Sequence, residues 1–150
     1  MTIIDSQVHI WKAESPDRPY AKEDASKPHG PTPLGSEDLL REMAAGGVDG
    51  VILVPPSWEG YRNDYALKAA NKYPDRFAVM GKVPLNDPAS KSRIATWLEQ
   101  PGMRGFRISF RHRGTHSFLD DGTADWFWGD CERHDFPVMI FAPFAVAKIG

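Results

Sequence analysis

Five short apolar runs, separated by segments with helix signals, constrain this chain more than any other feature. The runs, rich in β-branched and aromatic residues, span 3–10, 48–54, 77–83, 103–108 and 136–141. Strands that alternate with helices about every 30 residues are typical of βαβ units, which form parallel sheets. The runs are rich in apolar residues and do not alternate strictly between apolar and polar, which predicts strands buried on both faces. Two architectures satisfy this pattern: a doubly wound open sheet, or part of a (β/α)8 barrel.

Capping residues place helices between the runs. Ser36 is the expected N-cap of the first helix, which Gly46-Gly47 ends. Asn63 or Asp64 begins a second helix, which stops before Pro74. Two more helices are expected, one after Asp87-Pro88 with Ile94, Trp97 and Leu98 facing inward, and one over 124–134 after Thr123.

Charge, cysteine content and motif content exclude several function classes. With 18 basic and 20 acidic residues the net charge is −2, which argues against nucleic-acid binding driven by charge. Cys131 is the single cysteine, so an intrachain disulfide is impossible. No G-x-G-x-x-G motif follows the first run, so a nucleotide-binding fold lacks its main support.

The apolar stretches also bear on location. The longest, 51–56 and 137–147, are shorter than the roughly 20 residues that a membrane span needs. The N-terminus has neither a basic segment nor a long apolar segment, so no secretory signal is read there. We therefore expect no membrane partner and a cytoplasmic protein.

Two long loops, 12–35 and 110–125, each follow a predicted strand. Because both begin at the carboxyl end of a strand, both are expected at the face where parallel α/β folds keep their sites. His29 lies in the first loop between Pro28 and Gly30, and is interpreted as a substrate contact or as a surface turn residue. Trp58, after the second run, is a possible pocket wall.

The first run carries a candidate catalytic group. Asp5, Gln7 and His9 are spaced two apart, so in a strand they share one face, with His9 nearest the carboxyl end. An inward histidine beside a carboxylate can bind a metal or move a proton. The alternative is a hydrogen-bonded core histidine beside a structural aspartate.

The fourth run ends in a basic group. Arg107, followed by Arg111, Arg113 and His116, offers a guanidinium fork suited to a carboxylate or phosphate. The alternative is a solvated basic loop, with Arg107 paired to an internal acid. Cys131, which has no CxxC partner, is interpreted as a buried structural thiol.

The ordered motifs of the chain resemble one family. They are the segments Ile3-Ile4-Asp5-Ser6-Gln7-Val8-His9-Ile10-Trp11, Gly47-Val48-Asp49-Gly50-Val51-Ile52-Leu53-Val54, 71–77, Gly102-Met103-Arg104-Gly105-Phe106-Arg107 and 137–143. In this order they resemble the amidohydrolase-related family, a branch of TIM-barrel hydrolases that includes 2-pyrone-4,6-dicarboxylate lactonase and the sugar lactonases. The resemblance implies a (β/α)8 barrel that hydrolyses a lactone, ester or amide of a small acid. Some relatives decarboxylate aromatic acids with a divalent metal.

The resemblance also implies roles for particular residues. The first strand of the family ends in His-x-His; here Gln7 takes the first of these positions and His9 the second. Because Gln is a poor Zn²⁺ ligand, this favours a metal-independent lactonase over an enzyme using Zn or Mn. Arg107 matches the position that holds a substrate carboxylate, and Arg111 is a second candidate. The family's later His and last-strand Asp, the usual base, would lie beyond Gly150.

We therefore expect residues 1–150 to be the N-terminal part of one (β/α)8 barrel that hydrolyses a small carboxylated lactone or ester. Arg107 would bind the substrate carboxylate and His9 would polarise or orient the scissile carbonyl. Asp5 and Gln7 would support them, and Asp5 and His9 would be the ligands if a metal binds.

Two alternatives remain open at this point. One is a divalent-metal-dependent decarboxylase or hydrolase of a small acid. The other is a catalytically incomplete half barrel that acts as an assembly partner. Because a half barrel leaves two sheet edges unpaired, we expect a homo-oligomer.

Overall fold

The structure, a computed structural model, describes residues 1–21, 28–111 and 113–145. These residues form one parallel sheet whose strands are β1 (Ile4–Val8), β2 (Gly50–Leu53), β3 (Phe77–Gly81), β4 (Met103–Ser109) and β5 (Val138–Phe141). The strands lie in sequence order, each paired with the one before it. The sheet curls into a half barrel flanked by helices, which confirms the predicted partial (β/α) barrel.

The helices fill the connections between strands. They are α1 (Ser36–Gly46), α2 (Asp64–Lys72), α3 (Ala89–Ile94), α4 (Arg113–His116) and α5 (Asp125–Arg133), with 3-10 turns at Ser57–Glu59, Trp97–Glu99 and Ser117–Leu119. Gly35, and not Ser36, is the N-cap residue of α1. Gly47 ends that helix at φ 68°, a left-handed conformation that glycine adopts without strain.

The core lies between the sheet and the helices. Phe106 of β4 stacks on Trp97 at a centroid distance of 4.5 Å and meets the edge of Phe127 from α5 at 5.0 Å. Cys131 is buried, as predicted, and burial raises the pKa of its thiol to about 12. The inward placement predicted for Leu98 is wrong, since its side chain is 40% exposed. The α-helix ends at Ile94, so the periodicity that would turn Leu98 inward does not continue.

The two edge strands are less buried than the sequence predicts. Ile4 of β1 is 53% exposed, and Ile140 and Phe141 of β5 are 36% and 38% exposed. The physical reason is that, in the described part of the sheet, β1 and β5 each pair on one side only, with β2 and β4. Within the described ranges, no helix is long and apolar enough to cross a membrane. The cytoplasmic location stays a prediction.

Candidate active site

A cavity of about 490 Å³ lies at the carboxyl ends of the strands. Its charged lining residues are Lys82 and Arg107, and its polar ones are Ser57, Tyr61, Asn86, Ser109 and Thr115. Val83, Leu85, Ile108 and Phe118 supply apolar walls. None of the described lining residues is acidic, and both of the charged ones carry a positive charge. Such a site favours a small anion.

The strand register explains why both cations face the cavity. Gly81 of β3 is paired with Phe106 of β4, so the next residues, Lys82 and Arg107, lie side by side. Phe106 points into the core, and a Cβ on Gly81 would meet Trp97 at 2.8 Å, on the helix side. Because successive side chains alternate between the faces of a sheet, Lys82 and Arg107 point to the opposite, concave face.

Arg107 is a half-buried cation. Its Nη1 donates to the carbonyl of Ile108 at 3.1 Å, and its guanidinium lies 5.1 Å from the ring centroid of Phe141. Burial lowers the pKa of Arg107, because the charged form loses solvation. Across the described part of the chain, no carboxylate forms an ion pair with Arg107. Its remaining N–H groups are therefore suited to an anionic ligand in the cavity.

His9 follows β1 and is held by one short hydrogen bond. Its Nδ1 donates to the carbonyl of Val54 at 2.7 Å, which leaves Nε2 as an acceptor. Burial is the main cause that lowers the pKa of His9; the Val54 bond opposes it, and His29, Lys82 and Arg107 add to it. The neutral imidazole can therefore accept a proton or a hydrogen bond at Nε2. Polarising a carbonyl would require the protonated form, which burial disfavours.

An aromatic cluster surrounds His9. The ring centroid of His29 lies 5.4 Å from that of His9 and 5.1 Å from that of Trp58. Trp58 is 2% exposed and meets Trp11 edge-on at 5.7 Å. Among the described residues, Trp58 Nε1 has no hydrogen-bond partner. The structure thus brings together three of the predicted residues, His9, His29 and Trp58. None of the three is among the described residues that line the cavity.

Asp5 and Gln7 make no contact with this cluster among those described for them. A register irregularity between Asp5 and Val8 interrupts the simple alternation expected along β1. The Asp5 carboxylate accepts a hydrogen bond from the Gln7 backbone N–H at 3.0 Å, and both residues are exposed. Among the described contacts, no hydrogen bond joins Asp5 to His9. The supporting roles of Asp5 and Gln7 stay predictions.

Arg111 lies just beyond β4 and is exposed. Its carbonyl hydrogen-bonds His116 Nε2 at 2.9 Å, which stabilises the turn after the strand. The described lining of the cavity does not include Arg111. A second carboxylate contact from this residue therefore stays a prediction.

A divalent metal such as zinc needs three or more donor side chains around one point. In the described ranges, no group of three or more His, Cys, Asp or Glu side chains is arranged to hold a metal ion. His9 and His29 supply two imidazoles, and the nearby Lys82 and Arg107 add positive charge. These residues do not by themselves fit a metal centre.

A buried carboxylate anchors the loop after β1. Glu59, 2% exposed, accepts a hydrogen bond from Arg18 Nε at 2.8 Å, and Arg18 forms two more bonds to Asp64 at 2.8 and 3.1 Å. The Ala21 N–H donates to the carbonyl of Trp58 at 2.8 Å, which places Ala21 in the cavity wall. Arg18 and Ala21 are therefore fixed to the segment that follows β2.

Sequence reasoning missed several residues of this site. Lys82 lies inside the apolar run 77–83, and a charged residue within such a run was the available signal. Tyr61 and Asn86 come from connections without any motif. The buried position of Glu59 depends on Arg18, which is 41 residues away in the sequence, so no local pattern indicates it.

Comparisons with known proteins give a family and a fold. The family model for amidohydrolases matches residues 4–149. No curated protein matches the chain. The chain spans about half the length of the solved structures that it resembles.

Three solved structures illustrate the likeness. One is a probable 2-pyrone-4,6-dicarboxylic acid hydrolase from Acinetobacter baumannii with citric acid bound: 19% identity, TM-score 0.67, 95% of this chain and 50% of that chain covered. Another is an amidohydrolase from Burkholderia multivorans with bound zinc. Its sequence identity is 21% and its TM-score 0.70, and the match covers 99% of this chain and 52% of that chain. A third is a 5-carboxyvanillate decarboxylase from Novosphingobium aromaticivorans with manganese and 4-hydroxy-3-methoxy-5-nitrobenzoic acid. Its sequence identity is 21% and its TM-score 0.67, and the match covers 99% of this chain and 53% of that chain. At these identities the likeness shows the fold alone.

Proposed function

The chain belongs to the amidohydrolase family, and on that premise we propose that it forms part of a hydrolase that opens a small carboxylated lactone or ester. One observation carries the proposal: Arg107 is a half-buried cation in a cavity whose described lining holds no acid. A buried charge without an anion is costly, and a substrate carboxylate offsets that cost. The cavity, about 490 Å³, suits a small acid.

The roles follow from the hydrogen-bonding groups. Arg107 binds the substrate carboxylate through N–H groups not used by Ile108, which orients the ring or chain of the substrate. His9 Nε2 accepts a hydrogen bond from the attacking water and so directs the water oxygen towards the carbonyl carbon. His29 and Trp58 restrict the His9 ring to one orientation.

The test is a steady-state assay with a small carboxylated lactone and its methyl ester. Arg107→Met should raise KM for the carboxylated lactone about 10- to 100-fold, the effect of losing a hydrogen bond to a charged group. It should change KM for the methyl ester little. Arg104→Met is the matched control, since Arg104 is on the same strand, exposed and outside the described lining. An unchanged KM in Arg107→Met would refute the proposed carboxylate contact.

A second candidate is a divalent-metal-dependent decarboxylase or hydrolase of a small acid. The observation that favours it is the His9–His29 pair, two imidazoles with ring centroids 5.4 Å apart, with the Nε2 of His9 left as an acceptor. Solved structures of similar fold carry zinc or manganese. Stoichiometric Zn²⁺ or Mn²⁺ binding that His9→Ala abolishes would favour this candidate. Activity that withstands a chelator would favour the lactonase.

A further inference from the structure

We propose that Trp58 binds the attacking water: its indole N–H and the imidazole of His9 hold one water molecule between them. The inference rests on the proposed function in one respect, because this water is the one that His9 directs at the carbonyl carbon. The water site itself is open to a test that needs no substrate.

The first observation is a difference between two equally buried tryptophans. Trp58 and Trp97 are each 2% exposed. Trp97 Nε1 donates to the carbonyl of Gly105 at 2.9 Å, whereas Trp58 Nε1 has no partner among the described residues. A buried N–H that has lost its hydrogen bond to solvent costs free energy. A bound water is the group that commonly restores such a bond inside a protein.

The second observation is that the backbone around Trp58 is held on both sides. Trp58 is the middle residue of the 3-10 turn Ser57–Glu59. Glu59 accepts a hydrogen bond from Arg18 Nε at 2.8 Å, and the carbonyl of Trp58 accepts one from the N–H of Ala21 at 2.8 Å. These bonds keep Trp58 in the interior, so its N–H needs an acceptor there.

The third observation is that His9 offers the complementary group. Its Nδ1 donates to the carbonyl of Val54 at 2.7 Å, so its Nε2 carries a lone pair and accepts. With the described residues, His9 forms no second hydrogen bond. The ring centroids of His9 and Trp58 are 6.0 Å apart, and the rings meet edge-on. Two hydrogen bonds of about 2.8 Å through one water molecule span a separation of this order.

The two groups restrict what can bind between them. The indole nitrogen of Trp58 only donates, and Nε2 of His9 accepts, so the bound group must both accept and donate a hydrogen bond. A cation at Nε2 would leave the indole N–H unpaired. An ionised carboxylate would accept from Trp58 but has no proton for the neutral imidazole. A neutral O–H group meets both requirements, and water is the O–H group that the solvent supplies.

The water site adjoins the cavity in which the substrate is proposed to bind. Ser57 precedes Trp58 in the chain, and Gly60 follows two residues later; both line the cavity. Ala21, whose N–H bonds to the Trp58 carbonyl, lines it too. Trp58 is therefore bordered by cavity-lining residues on both sides of its backbone.

The two hydrogen bonds also orient the water for attack. One lone pair of the water oxygen accepts from the Trp58 N–H and one O–H donates to His9 Nε2, which leaves the second lone pair for the carbonyl carbon. As the new C–O bond forms, the carbonyl π electrons move to its oxygen and the water proton passes to His9 Nε2. When the intermediate collapses, the bond to the leaving alkoxide breaks and the alkoxide takes that proton.

The experiment is NMR on the full, isotope-labelled 150-residue chain, recording dipolar cross peaks with water in the laboratory and rotating frames. The Trp58 indole N–H and the His9 Cε1–H, which is next to Nε2, should each show a cross peak of opposite sign in the two frames. Opposite signs distinguish a bound water from proton exchange. Trp97 is the internal control and should show no water cross peak, because its N–H is bonded to Gly105. A missing cross peak at Trp58 or at His9 refutes the inference.

The variant Trp58→Phe tests the part that this water takes in the reaction. It keeps an aromatic ring and removes the N–H, so kcat should fall on the order of tenfold, the effect of losing one hydrogen bond. KM for a carboxylated lactone should stay unchanged, because Arg107 still binds the carboxylate. Trp128→Phe, the same change in α5 outside the described lining, is the control and should keep kcat.

The contrary results for Trp58→Phe are equally specific. A merely structural role would lower kcat and raise KM together. A kcat equal to that of wild type would show that Trp58 does not hold the attacking water.

The outcomes separate this inference from the proposed function. If both water cross peaks are present and no lactone or ester is hydrolysed, the water site stands and the proposed function fails. If the cross peaks are missing while Arg107→Met raises KM as expected, the proposed function stands and this inference is wrong. Should Trp58→Phe not fold, the wild-type spectrum decides whether the water is bound.

Discussion

At the scale of single residues, His9 combines a fixed hydrogen bond with removal from water. Burial lowers the pKa of His9 in the folded protein, whereas the unfolded chain takes up a proton at about 6.5. Below that pH the unfolded state therefore binds more protons than the folded state. The free energy of unfolding should fall as the pH drops from about 7.5 to about 5.5. Urea unfolding at both pH values measures this.

The variant His9→Gln removes the titrating ring and should flatten this pH dependence. His134→Gln, at an exposed residue beside Phe136, is the control and should keep the wild-type dependence. Equal slopes in wild type and His9→Gln would show that His9 contributes nothing to the pH dependence.

Glu59 illustrates a buried ion pair that fixes a loop. Glu59→Ala leaves Arg18 and Arg62 without their shared carboxylate, and should lower the free energy of unfolding by about 3–5 kcal/mol. Glu37→Gln, which breaks an exposed ion pair with Lys72, should cost far less because solvent screens that pair. Chemical denaturation of both variants provides the comparison. Similar decreases in the free energy of unfolding for Glu59→Ala and Glu37→Gln would contradict a larger contribution from the buried carboxylate.

At the scale of elements, the strands and most helices follow from local patterns. The apolar runs 77–83 and 103–108 contain β3 and most of β4, and the Gly46-Gly47 signal ends α1 as predicted. The irregularity of β1 was not predictable, since it arises from pairing with β2, which is 42 or more residues away. The segment 110–125, predicted as a loop, contains α4 and a 3-10 turn. Short elements of this kind depend on contacts and not on periodicity.

The same distinction applies to the candidate site. Arg107 and His9 were predictable because each is a polar residue at the carboxyl end of an apolar run. The position of Lys82 beside Arg107 depends on the β3–β4 register, which no single segment encodes. Asn63 forms two hydrogen bonds with the backbone of Lys82, which is 19 residues away in the sequence. The sequence around Asn63 predicts only a helix N-cap, so it does not indicate these bonds.

Close approach of β4 and β5 gives a prediction at this scale. A Cβ on Gly105 would lie 2.2 Å from the carbonyl oxygen of Pro137, so Gly105→Ala must push the strands apart. We expect a loss of about 1–3 kcal/mol in the free energy of unfolding. Gly129→Ala, in α5 with open space around it, should gain about 0.5–1 kcal/mol. Thermal unfolding of both variants measures whether each change lowers or raises the free energy of unfolding. A Gly105→Ala variant as stable as wild type would contradict the close approach of the two strands.

At the scale of the whole molecule, the free sheet edges determine how this chain behaves alone. Ile140 and Phe141 on β5 and Ile4 on β1 are exposed on strands that, among the described residues, pair on one side only; this combination promotes strand pairing between molecules. We therefore expect the 150-residue chain to self-associate. In sedimentation velocity, Ile140→Lys should shift the distribution towards monomer. Leu98→Lys, at a residue of similar exposure outside the sheet, should not. A monomeric wild type would contradict this expectation.

The order of the strands has a consequence for how the protein is made. Each strand after β1 pairs with the strand that precedes it in the chain. When a described strand is synthesised, the strand before it, with which it pairs, has therefore already been made. On the ribosome, β2 can dock on β1 as soon as α1 and β2 have left the exit tunnel, and each later unit extends a surface already formed. The protein can therefore assemble from its N-terminus at the pace of translation. Until the next strand leaves the ribosome, the last strand of the partly formed sheet has an unpaired edge, and this edge is the surface that a chaperone would need to cover.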